Sequence, residues 1–182
     1  MDVDKLHELH GGCSNCKACG LHTNGHKPPL WYHNSQYVML MEQPSLIVEK
    51  WMTQFWNIAA EYNLKEEQFM QIHTVQCKTG ESKRHTKRPP CPAQSHRSEC
   101  RRWVTDYMCA LEPKKMIAFG NIAMQELTGH FDGILKCNGT VVVPKYGRNV
   151  VPTVLSVSPF ALAYRKDAVK MIRTSLQVFK EL

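Results

Sequence analysis

Cys13, Cys16 and Cys19 stand in a C-x2-C-x2-C run, the spacing by which one short loop can turn two or three thiolates onto a single metal centre. Cys77 and Cys100 lie far downstream, on either side of a basic segment, with Cys91 between them among prolines. A four-thiolate site is therefore available. Zinc accepts four thiolates tetrahedrally and a 4Fe-4S cluster accepts one on each iron, so ligand counting does not separate the two. Gly, Ser, Asn and Lys surround Cys13 and Cys16, a setting with no apolar pattern that would bury free thiols. Cys109 and Cys137 sit in apolar or strand-like surroundings and are expected to be buried free cysteines. The second chemical feature is charge. Lys78, Lys83, Arg84, Lys87 and Arg88 crowd the segment between Cys77 and Pro92, the densest basic stretch of the chain and a natural contact for phosphates.

These groups need elements to position them. Residues 1–36, rich in Gly, His, Cys and Pro, show no sustained apolar period and read as irregular chain that a metal centre staples. Tyr37–Met41 reads as a buried strand that ends abruptly in the polar Glu42-Gln43-Pro44-Ser45. From Leu46 to Leu64 the apolar residues recur every three or four positions, the mark of an amphipathic helix. Phe69–Val75 and Met116–Phe119 read as further buried strands, Pro152–Val157 as a final core strand, and a hairpin-like stretch runs through Val141–Val143. Helices are expected around Ser98–Leu111, from Ile122 to a stop at Gly129, and from Asp167 to Leu182. Strand and helix alternate, and the strands are nearly continuous apolar runs. That pattern predicts a three-layer α/β/α sandwich around a mainly parallel sheet. Ligands of such sheets lie beyond the carboxyl ends of the strands, which singles out residues 42–45, 73–77, 120–121 and 158–160.

Composition narrows the function. With 182 residues, 43% of them hydrophobic and 21% charged, the chain should fold as one domain over residues 1–182. No apolar run is long enough to span a bilayer, and Met1-Asp2-Val3-Asp4-Lys5 is not the start of a signal peptide. The expectation is an intracellular, cytoplasmic protein without a membrane partner, associated with the nucleoid if the host is bacterial or viral. A formal charge of +7 points to a polyanionic partner, with nucleic acid first.

In order along the chain, five segments resemble the iron-sulfur uracil-DNA glycosylases of the family-4 type. They are the Cys13-x2-Cys16-x2-Cys19 run; Met41-Glu42-Gln43-Pro44-Ser45 in the place of a G-E-x-P-G loop; and Cys77, a basic Pro-containing loop and Cys100. Pro113 to Ala123 is similar to the family's P-x6-G-x2-A segment, and Ser158-Pro159-Phe160 to Arg165 takes the place of its H-P-S-x-x-L-x-R motif. The resemblance implies a 4Fe-4S cluster, with zinc the alternative, on Cys13, Cys16, Cys77 and Cys100, with Cys91 able to replace Cys77. It also implies a DNA groove that receives a flipped base. Glu42 would assist the sugar cation, Gln43 would contact the backbone beside the pocket, and His73 and Ser158 would line the base. Lys83, Arg84, His85, Lys87, Arg88 and Arg165 would face DNA. Three positions depart from the family. His73 replaces an asparagine, Ser158 replaces a histidine, and the stretch that carries a stacking aromatic is shortened after Ser45. The E-Q-P sequence is similar to a subclass that cross-links to DNA through a histidine of the basic loop, for which His85 and His96 are the counterparts.

Two functions from different classes follow. One is a uracil or modified-pyrimidine DNA glycosylase, a hydrolase of the N-glycosidic bond acting in base-excision repair. The other is a catalytically inactive glycosylase-fold subunit that binds DNA beside replication or repair proteins. A zinc-stapled interaction module would account for the cysteines but not for five matches in order.

Overall fold

The computed structural model describes residues 2–80 and 90–182, with Leu46 and Ile47 described by their backbone only. Four parallel strands form the centre: β1 (Tyr37–Met41), β2 (Phe69–His73), β3 (Lys115–Phe119) and, later in the chain, β7 (Thr153–Ser156). The short β4 (Val141–Val142) adds antiparallel to β7, giving the order β2-β1-β3-β7-β4. Between them β5 (Lys145–Tyr146) and β6 (Asn149–Val150) make a separate hairpin. The helices are α1 (Val3–Ser14), α2 (Leu46–Ala60), α3 (Gln94–Leu111), α4 (Gly120–Thr128), α5 (Ile134–Cys137) and α6 (Ala168–Glu181).

The layers follow from connectivity. The chain steps from β1 to β2 in one direction and from β2 over β1 to β3 in the other. Right-handed crossovers therefore put α2 and α3 on opposite faces. α2 packs with α6 on one side; α1 and α3 pack together on the other, joined by α4. Both faces of the sheet are covered, which is why β1, β2, β3 and β7 are largely apolar: Val38, Leu40, Ile72, Met116, Ala118 and Val154 are each fully or almost fully buried. Aromatic residues fill the α2/α6 layer, with Phe55 edge-on to Phe119 at 5.2 Å and Phe69 against Phe179 at 5.6 Å between ring centroids.

The amino-terminal segment departs from the sequence reading. Residues 3–14 are helical rather than irregular, capped by the Asp2 carboxylate on the Lys5 N–H at 3.1 Å. Leu6, Leu9 and Cys13 form its buried stripe, one residue in each turn, and pack into the main core. Beyond a 3-10 turn at Leu21–Asn24 the chain runs along the outer edge of β2. Leu30 and Gln71 exchange two backbone hydrogen bonds of 2.7 and 3.0 Å, and Gly25 to Lys27 pairs with Gln76 to Lys78 in the same antiparallel sense. Trp31 packs edge-on against His7 and His10 of α1, tying the two parts of the segment together.

Smaller differences have plain causes. α5 and the β5–β6 hairpin were not legible because elements of four and two residues carry no period. Gly120, expected as a turn, is the first residue of α4 and takes φ +85°, which lets β3 pass directly into the helix. Gly129 ends α4 at φ +71° with its N–H on the Gln125 carbonyl, as its sequence position indicated. Cys109 is exposed and Cys137 half-buried, so neither is the buried thiol expected of it. Cys109 lies on the outer side of α3 and Cys137 ends the short α5, positions where an apolar sequence neighbourhood does not become core.

Candidate functional site

Glu42, His73 and Ser158 come to one edge of the sheet. Met41 pairs with His73 and Phe119 with Ser156, so the three residues stand at or just beyond the carboxyl ends of β1, β2 and β7, with Gly120 between at the end of β3. β1 and β3 are also where the order of connection reverses, the place where open α/β sheets hold ligands.

Glu42 is fixed from two directions. Its carbonyl accepts from the Val75 N–H at 3.3 Å and from the Thr74 hydroxyl, stitching β1 to β2. Its Oε1 accepts from the Ile122 N–H in the first turn of α4 at 3.2 Å. The carboxylate lies over Gly120, where a Cβ would come within 2.9 Å of the Glu42 Cδ. The orientation of this side chain is thus set by a helix start and by a glycine that leaves it room.

His73 is buried, with its Nδ1 lacking a hydrogen-bond partner. Loss of water drives its pKa down to about 3, helped by the charge of Lys27 and by His26, so the ring is neutral at physiological pH. Lys27 is itself held by Glu49 of α2 at 2.5 Å. Ser158 caps the 3-10 turn Pro159–Ala163, its Oγ accepting from the Phe160 N–H at 3.3 Å. In that turn Phe160 packs on Tyr164, which is 63% exposed. Arg165 lies next to it but makes a two-pronged pair with Asp167, at 2.7 and 3.0 Å.

Gln43 ties two segments of the chain together. Its amide nitrogen donates to the Pro90 carbonyl at 2.9 Å, and its Oε1 accepts from the Thr79 hydroxyl at 2.7 Å. Thr79 also reaches the Pro90 carbonyl at 2.5 Å. The side chain, only 7% exposed, thereby clamps the two stems of the basic segment. Lys83, Arg84, His85, Lys87 and Arg88 lie outside the described residues, whereas Lys78 on the near stem is exposed. His96 is half-buried near the start of α3 with Nδ1 unpartnered.

The thiols gather just beyond the carboxyl end of β2, where the chain runs on from His73 to Cys77. Cys77 and Cys100 pack with Leu21 and Val75 in a small apolar cluster distinct from the main core, and Cys19 packs against it. Cys13 is buried from the other side, as part of the main core. Burial first, and the neighbouring thiols next, raise Cys13 to about 12 and Cys77 to about 11. Cys100 also rises to about 11 through burial. Cys16 goes the other way. Burial opposes its thiolate, but the Ala18 N–H and the Arg102 guanidinium, 3.8 Å from the sulfur, outweigh it. Cys77 Sγ lies 3.4 Å from His26 Nδ1. Among the described residues no three His, Cys, Asp or Glu side chains are grouped to hold a metal ion. The chemistry of the donor set fits one nonetheless: buried thiols that oppose one another's ionisation become good ligands once a metal cation neutralises them. Cys91 is exposed and outside this packing. No motif drew attention to Arg102 or His26, and the motif that contains Gly120 and Ile122 did not show that they hold the Glu42 carboxylate. Their roles come from distant segments folding together.

The family model of the uracil DNA glycosylase superfamily matches residues 28–180, most of the chain. No curated protein matches it. Among the described residues no helix is long and apolar enough to cross a membrane.

Proposed function

Because the chain belongs to the uracil DNA glycosylase superfamily, we propose that it binds DNA and cleaves the N-glycosidic bond of a flipped uracil or modified pyrimidine. The observation that carries this reading is the convergence of Glu42, His73 and Ser158 on the strand-end edge at the β1/β3 reversal. In the proposed reaction the bond between sugar and base breaks, leaving an oxocarbenium-like sugar and a base anion. The Glu42 carboxylate, oriented by the Ile122 N–H, stabilises the sugar cation and the water that attacks it. Neutral His73, with an unpartnered Nδ1, and the Ser158 hydroxyl are the polar groups on the base side. Lys78 and the basic segment that follows would hold phosphates, and Arg165 could join them by exchanging Asp167 for a phosphate.

The same reading gives the thiols a 4Fe-4S cluster, with zinc the alternative. Cys16, Cys77 and Cys100 are common to either ligand set, and the fourth place lies between Cys13 and Cys19. Packing of Cys19 against Cys77 and Cys100, with Cys13 committed to the main core, favours Cys19. The cluster would join the amino-terminal segment to β2 and α3.

A second reading has its own support. Ser158 is used as a cap, Gln43 as a clamp and His73 is walled in, which suits an inactive glycosylase fold acting as a DNA-binding subunit of a replication or repair assembly. Single-turnover incubation with single- and double-stranded DNA carrying one uracil, scored for abasic sites and for denaturation-resistant adducts, separates the two. Product that falls by about 100-fold or more in Glu42→Ala is expected for the enzyme. DNA binding with neither product nor adduct, in protein that contains its metal, would favour the second reading. Iron content and an absorbance band at roughly 400 nm distinguish cluster from zinc. Loss of the metal in Cys19→Ser but not in Cys13→Ser is the expected pattern, and the reverse would restore the set containing Cys13.

A further inference from the structure

A cavity of about 230 Å³ lies between α3, α4 and the β5–β6 hairpin, with Thr74 on its inner wall. Its charged lining is uneven. Arg97 and Arg101 from α3 and Lys145 from β5 face a single carboxylate, Glu126 of α4. That carboxylate is already engaged on both oxygens, by Arg97 Nη1 at 3.0 Å and by Arg101 Nη2 at 2.8 Å. Two donors remain over. Arg97, whose side chain is only 12% exposed, has a buried Nε without a partner. Tyr146, 9% exposed, has a buried hydroxyl without one. A buried donor left unpaired costs about 1–3 kcal/mol, so two of them on residues that line one cavity, beside surplus positive charge, point to an acceptor-rich anion. Arg101 and Lys145 are exposed and mark the mouth.

The chemistry of that anion can be narrowed. Three cations over one carboxylate leave a formal charge of two, and a phosphate monoester carries about −1.5 to −2 at neutral pH. The volume is below the roughly 300–1,000 Å³ of pockets that enclose drug-sized molecules, so the ligand inside is a small group rather than a whole nucleotide. An oxyanion with several oxygens can accept from Arg97 Nε and Tyr146 together, which a halide cannot do with the same geometry.

We propose that this cavity binds a phosphate group through Arg97 and Tyr146, either as the free anion or as the terminal phosphate monoester of a nucleic-acid end. It lies on the α3/α4 face behind Thr74, and the assignment does not depend on glycosylase activity. The test uses the full-length protein at constant ionic strength. Inorganic phosphate is titrated against chloride by calorimetry, and 5′-phosphorylated and 5′-hydroxyl trinucleotides are added in separate arms. Saturable binding of phosphate, weakened about tenfold or more in both Tyr146→Phe and Arg97→Lys, is the expected result. These variants keep the ring and the charge facing Glu126, and an unchanged melting temperature without phosphate shows that the fold is retained. Competition by the 5′-phosphorylated trinucleotide alone would assign the site to a nucleic-acid end; saturation by the free anion without such competition would assign it to inorganic phosphate. Phosphate no more effective than chloride and no discrimination between the trinucleotides would overturn the proposal, as would unchanged affinity in both variants.

Discussion

His73 links burial to pH. In the unfolded chain a histidine takes up a proton near pH 6.5, whereas in the fold burial, with Lys27 and His26, holds this one to about 3. Between those values the unfolded state binds a proton that the native state refuses. Stability is therefore complete above about pH 6.5 and falls as the pH drops toward 3, by up to about 1.4 kcal/mol per pH unit from this residue. His26, also depressed by its burial, acts in the same direction. Urea midpoints at pH 7.5 and 5.0 should show a smaller acid loss in His73→Asn than in the wild type; equal losses would mean that the ring does not reach this environment. Gly120 makes a second prediction at this scale. Gly120→Ala adds a Cβ at φ +85° and against the Glu42 carboxylate, so it should cost about 1–3 kcal/mol and reduce any Glu42-dependent reaction beyond that loss. Crystal structures or melting curves of this variant check the first part and the single-turnover assay the second. Glu42 and His73 were legible as candidates because each ends an apolar run. What holds them was not, since the Ile122 N–H, Lys27 and Gly120 arrive from other elements.

Among the elements, α1 shows where periodicity runs out. Its stripe is one residue wide, Leu6, Leu9 and Cys13, among glycines and histidines, and a search for three or four apolar positions in every two turns passes over it. Yet Leu6 is fully buried against the main core. Leu6→Ala should cost about 2–5 kcal/mol in chemical denaturation, as in any core, where a frayed terminus would show almost nothing. The central strands were read to within two residues because burial on both faces leaves them mostly apolar. The residues on either side of the basic segment are joined through Gln43. Replacing residues 81–89 by a Gly/Ser linker of equal length removes Lys83, Arg84, Lys87 and Arg88 while keeping Thr79, Gln43 and Pro90. The same replacement should lower DNA affinity and flatten its salt dependence if the lysines and arginines meet phosphates. Gln43→Ala, which leaves the Pro90 carbonyl and Thr79 without their shared partner, should destabilise by about 1–2 kcal/mol although it touches no charge.

For the whole molecule, alternation of strand and helix was enough to give the architecture, because a two-faced parallel sheet leaves few ways to connect its strands. It could not show that the amino-terminal segment, besides carrying cysteines, lies along β2 through the Leu30–Gln71 pairing. The outermost strand at the far side is only two residues long, so it offers little to pair with. β2 is different: five apolar-rich residues whose outer backbone groups are covered by one strap of chain. If a metal centre on Cys77 and Cys100 anchors that strap, its loss should uncover a sticky template for another copy of the protein. Metal-depleted protein, or Cys100→Ser, should then scatter light and bind amyloid dyes on mild warming, well before a core variant such as Phe179→Ala of matched melting temperature. With such a centre in place the thiols would guard against self-association, and the redox state of the cell, through oxidative loss of a cluster, would decide how long this protein stays dispersed.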